Sequence, residues 1–174
     1  MQIFKIPIPQ NSLVSKAFPV IDYSDCFCTN FNFPKEIRLE NCVRYSLSSR
    51  PFWADILMQI RNILVKPFGL KTGIKDKMVQ PVSAINLSKG NKISFFEVLE
   101  SNDEEVVLIA SDKHLTACLS IKIKKNHDQY EIFLSTIVKF HNYLGHVYFF
   151  FVKPFHILIM RAMLNRMINH FTKQ

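Results

Sequence analysis

Asp112 and His114 stand two residues apart beside a turn-forming stretch, an arrangement in which a carboxylate can orient an imidazole for general acid–base work. They are the catalytic candidates, set against a simpler use in which both residues cap backbone groups at the turn. His141, His146 and His156 add imidazole nitrogens, but their spacings are not the i, i+4 of a helical metal pair, so no metal site is expected. Lys66 and Lys153 occupy equivalent places in a tetrapeptide, Val-Lys-Pro-Phe, found at residues 65–68 and again at 152–155. Beside a proline that fixes the local backbone, each ammonium can be held at the mouth of a cavity to meet an anionic head group. The alternative is that the stems lie along apolar surface and the charges reach water. The ligand-binding candidates are Trp53, Lys66, Phe68, His141, Tyr148, Lys153 and His156.

The elements that must position these side chains are legible in the hydrophobic pattern. Residues 22–31, DYSDCFCTNF, alternate and are rich in aromatic side chains, which reads as a first strand. Residues 32–40 form a linker with Pro34. Asn41 can then cap a short helix to about Leu47, and Ser48 or Ser49 the next. In that second helix Phe52, Trp53, Ile56, Leu57, Ile60 and Ile63 recur at helical spacing, and Pro67 with Gly69 stops it. Residues 71–91 show little periodicity and read as a long connection of the kind that often borders a site.

Strand signals follow at 93–100, 106–110, 114–124 and 130–141, and the short turns between them imply an antiparallel meander. Along 114–124, Leu115, Ala117, Leu119, Ile121 and Ile123 face one way and His114, Thr116, Cys118, Ser120, Lys122 and Lys124 the other, giving one core face and one solvent face. A long helix runs from about Asn142 to Phe171. Its first part is apolar all round, which implies burial on more than one side. Pro154 should kink or divide it. The expected fold class is α+β: an antiparallel sheet wrapped on a long C-terminal helix, with two short helices after the first strand, in a single domain over residues 1–174.

A composition with 48% hydrophobic and 21% charged residues is globular, and 16 Phe against 4 Gly suits either a bulky core or an aromatic pocket. The net charge of +8 raises the question of nucleic acid. Lys66, Lys71, Lys75 and Lys77 form the densest basic stretch, but no aromatic platform, recognition helix or zinc-finger spacing accompanies them, so no nucleic-acid partner is expected. Anionic lipid headgroups suit such a stretch better. Cys26, Cys28, Cys42 and Cys118 lack paired metal spacing, which favours reduced thiols in a cytoplasmic protein. The start MQIFKIPIPQNSL is not patterned as a signal peptide. At 143–163 the apolar run is interrupted by Lys153, Pro154, His156 and Arg161, so no transmembrane segment is expected.

Three stretches carry a family resemblance: PFW-x8-N-x3-KPFGLKTG at 51–73, SDKHL at 111–115 and FHNYLGHVYFFFVKPFH at 140–156. The chain resembles a bacterial family of uncharacterised proteins, domain of unknown function 2867, over most of its length after residue 50. That family is similar in layout to the START-like, helix-grip proteins, in which a sheet wraps a long helix around an apolar cavity. Related domains occur as tails on NAD(P)-binding reductase-like proteins, but this chain has no Gly-rich nucleotide fold, and no cofactor is implied.

The resemblance implies an architecture and no catalytic residues. The leading expectation is a binding module that holds an apolar or amphipathic, lipid-like small molecule between sheet and helix. The alternatives are a cyclase-, isomerase- or hydrolase-type enzyme using Asp112 and His114, and a peripheral membrane or partner-binding protein using the aromatic helix.

Overall fold

The computed structural model describes residues 2–48 and 85–172. Trp53, Lys66, Phe68, the expected second short helix and the first Val-Lys-Pro-Phe copy lie outside the described residues. The alternating pattern yields strands β1 (Phe4–Lys5), β2 (Tyr23–Asn32), β3 (Lys92–Ile93), β4 (Phe96–Ser101), β5 (Glu105–Ser111), β6 (Leu115–Asn126) and β7 (Gln129–Phe140). They form one seven-stranded antiparallel sheet in the order β1-β2-β7-β6-β5-β4-β3. The meander from β3 to β7 is as expected from the short turns. β2 then pairs with β7 across the chain, with Asp25 opposite Thr136 and Phe27 opposite Leu134.

One face of the sheet carries the helices. Helix α1 spans Leu39–Ser48 and helix α2 spans Tyr143–Thr172. Phe27, Phe31, Leu119, Ile121, Ile132 and Leu134 from the strands meet Met160, Leu164, Met167 and Ile168 of α2 in the main core. α1 lies against the end of α2, where Tyr45 stacks on His170 with ring centroids 3.5 Å apart and Ser46 Oγ reaches Met167 Sδ at 3.8 Å. Asn41 does not cap α1. The helix begins earlier, and the Asn41 and Cys42 amides donate to the Arg38 carbonyl at 3.0 and 3.3 Å.

The other face of the sheet is solvated only toward its margins, where Lys124 is exposed, and not along the middle of β6 as the alternation implied. Cys118 and Ser120 are fully buried, and Lys122 is 5% exposed. A strap made by the N-terminal segment covers them, with Ile8, Leu13, Val14, Ala17 and Phe18 packed over Val107, Cys118 and Ile137. A short 3-10 helix, Leu13–Lys16, sits in this strap. Its first amides are satisfied from the sheet: the Glu105 carboxylate accepts from Leu13 N at 3.0 Å and Val14 N at 3.4 Å, and from the hydroxyls of Ser12 at 2.5 Å and Ser120 at 2.6 Å. Lys122 Nζ lies 3.4 Å from the same carboxylate, which compensates a charge that is wholly buried.

Helix α2 runs through Pro154 undivided. A proline removes one N–H and crowds the carbonyl four residues back, and here packing of Phe149 and His156 on Tyr23 holds the helix on both sides of it. The first half of α2 is also less covered than its all-round apolarity implies. Tyr143 is 79% exposed, Phe150 73%, Phe151 50% and Leu158 55%. By length and composition alone α2 reaches the range of a membrane crossing, and only 17% of its most apolar window is buried.

Candidate functional site

Strand periodicity puts Tyr23 and Asp25 on the helix-facing side of β2, and the three-residue step from Lys153 to His156 puts both on the matching side of α2. Where these faces meet, the Tyr23 hydroxyl donates to Asp25 Oδ2 at 2.6 Å. His156 Nε2 lies between the two carboxylate oxygens, 3.2 Å from Oδ2 and 3.4 Å from Oδ1. The Asp25 side chain is completely buried, so these two donors stand in for water. Burial, and then the hydrogen bond to Asp25 and its charge, push the Tyr23 phenol well above its ordinary range, so it remains a donor.

The Tyr23 ring is enclosed by Phe149 at 4.6 Å and by the edge of His156 at 6.3 Å. Lys153 Nζ lies 5.1 Å from its centroid, within cation–π range. Among the described residues, Lys153 is also the one charged residue lining an open, apolar groove of about 570 Å³ along α2, formed with Phe150, Phe151, Pro154, Phe155 and Ile157. The cluster therefore fixes an exposed ammonium at the rim of an apolar wall. The groove is lined by α2 residues that precede Met160, whereas the space beneath the second half of the helix is filled by Met160, Leu164, Met167 and Ile168.

Asp112 and His114 form a different arrangement. Asp112 Oδ1 accepts from the backbone amides of His114 and Leu115 at 2.7 and 3.0 Å, as an aspartate does in a turn. His114 Nδ1 meets Asn142 Oδ1 at 3.1 Å, while its Nε2 is buried with no hydrogen-bond partner. Asn142 caps α2, accepting from Gly145 N at 3.1 Å, and its Nδ2 donates to the Lys113 carbonyl at 3.0 Å. His141 N donates to the His114 carbonyl at 2.8 Å, and His141 Nε2 lies 2.9 Å from Thr116 Oγ1. These bonds join the stretches 111–115 and 140–146 into one junction at the start of α2.

Of the ligand-binding candidates, Lys153 and His156 are brought together around Tyr23 and Asp25. His141 sits at the helix-start junction, and Tyr148 is half-buried on α2. Tyr23 and Asp25 were missed as site residues, because the aromatic alternation of residues 22–31 reads only as a strand. A carboxylate on the apolar side of that strand was the available signal. Among the described residues no group of three or more His, Cys, Asp or Glu side chains is placed to hold a metal ion.

Comparison with curated proteins and with solved structures gives no significant match. The family described as "Protein of unknown function (DUF2867)" matches residues 17–163, a span that includes Tyr23, Asp25, the helix-start junction and the groove. With most of its length matched, the chain belongs to that family.

Proposed function

We propose that the protein binds an amphipathic, anionic small molecule along α2, its apolar part in the groove and its head group on Lys153. The observation that carries this reading is the lining itself: five apolar residues and one cation, with that cation resting on the Tyr23 ring. An apolar wall supplies affinity by removing hydrocarbon from water, and a single fixed charge supplies orientation. The Asp25–His156 contact acts as support, since it ties the middle of α2 to β2 beside Lys153.

Titration with a water-soluble fluorescent medium-chain carboxylate, compared with the matching amine, tests the reading. Saturable binding of the carboxylate is expected, weakened about tenfold or more by Lys153→Glu, in the range of a charge-assisted contact. Absence of saturable binding, or equal binding of the amine, would sink it.

A further inference from the structure

The outward stripe of α2 changes character halfway along the helix. At helical spacing it reads Tyr143, Phe150, Pro154 and Leu158, and then Arg161 and Asn165. The second part is what a helix on a sheet ordinarily presents to water. The first part is not: Tyr143, Phe150 and Leu158 are 79%, 73% and 55% exposed. Single exposed apolar residues need no explanation, but a contiguous aromatic stripe marks an interaction surface. The helix itself carries one sign of charge. Lys153 and Arg161 are exposed on the same helix, Tyr143–Thr172 contains no Asp or Glu, and the chain carries a net charge of +8.

We infer that this half of α2 docks on an anionic lipid bilayer, lying in the interface with its aromatic stripe among the headgroups and upper acyl chains. Apolar side chains inserted beside Lys and Arg are the chemistry by which a helix adheres to an anionic surface. Length decides between lying on the bilayer and crossing it. The second half of α2 is fastened into the core by Met160, Leu164, Met167 and Ile168, which are at most 2% exposed. The part before Met160 spans only about 25 Å at 1.5 Å per residue, short of the roughly 30 Å hydrocarbon thickness. Crossing would require the sheet to release the helix, whereas docking requires no change in fold. This inference stands whether or not the groove holds a small molecule.

Flotation of the full-length protein with phosphatidylcholine vesicles, and with vesicles of phosphatidylcholine and phosphatidylglycerol in equal parts, tests it. The protein is expected to rise with the anionic vesicles and to stay behind with the neutral ones. Tyr143→Ser combined with Leu158→Ser removes two stripe residues that do not line the groove, and is expected to lower the floated fraction about tenfold. The same variant should keep its circular dichroism spectrum and its binding of the soluble carboxylate. Lys153→Glu with Arg161→Glu should abolish the preference for anionic vesicles. Failure to float with anionic vesicles overturns the inference even where the soluble probe still binds, so the two readings fail separately. Equal flotation with both vesicle types overturns the anionic assignment. Concentration-dependent dimerisation lost in the Tyr143, Leu158 variant, without flotation, would replace the bilayer by a second copy of the chain.

Discussion

At the scale of single residues, the junction at the start of α2 shows how motif-like positions can serve architecture. Asn142 Oδ1 accepts from Gly145 N and so presents an acceptor to His114 Nδ1. Facing that acceptor, His114 Nδ1 is the donor of the contact, while its Nε2 is buried without a hydrogen-bond partner. Gly145 is required for a different reason: a Cβ there would overlap the His114 carbonyl oxygen, a backbone atom that cannot swing aside. Gly145→Ala is therefore expected to cost about 1–3 kcal/mol in urea unfolding, as overpacking does. A change within experimental error would show that the helix start shifts freely.

At the scale of elements, the strap over the second sheet face depends on one carboxylate. Glu105 receives two amides and two hydroxyls and faces Lys122, so Glu105→Ala would leave a buried ammonium without its counter-charge, held only by the Asn11 carbonyl. A loss of about 3–5 kcal/mol is expected from urea unfolding. The two buried thiols separate local from global effects. Cys118 lies under the strap and Cys42 in the helical layer. In Glu105→Ala under native conditions, Cys118 should react with a thiol reagent well before Cys42; simultaneous reaction would mean that the strap and the helical layer open as one unit.

At the scale of the whole molecule, apolar layers cover both sides of the central strands, and the thiols record the burial. Burial pushes Cys42 and Cys118 each from the ordinary 9.0 to about 12, and Cys28 to about 11, with the Glu131 charge adding to burial at Cys28. Thiols whose pKa is higher in the folded chain than in the unfolded one hold protons that the unfolded chain releases. Their contribution to stability is thus complete below about pH 9 and falls away as pH rises toward 11 and 12. Chemical denaturation from pH 8 to 11 should show stability declining above pH 9, and replacing Cys42 and Cys118 by Ala should flatten that decline. Apart from any constant offset, an unchanged slope would assign the alkaline loss to other groups.

Much of the α+β layout was legible in the sequence because it is written in local periods: two along 106–110, 114–124 and 130–141, and helical along the stripe from Met160 to Phe171. The family stretches were legible too, and Lys153 and His156 stood among the residues singled out. The periods say which side of an element is apolar but not what covers it. The polar-looking side of β6 is buried by a strap whose contact from Ser12 to Glu105 joins residues 93 apart, and the first half of α2, apolar all round, stays open along its outer stripe. The candidate site was hidden for the same reason. Asp25 and His156 are 131 residues apart and share no spacing rule, so only the packing of α2 on β2 brings them together. That packing follows from Phe27, Phe31, Leu164 and Met167 leaving water, and the polar contacts fall where the buried faces set them.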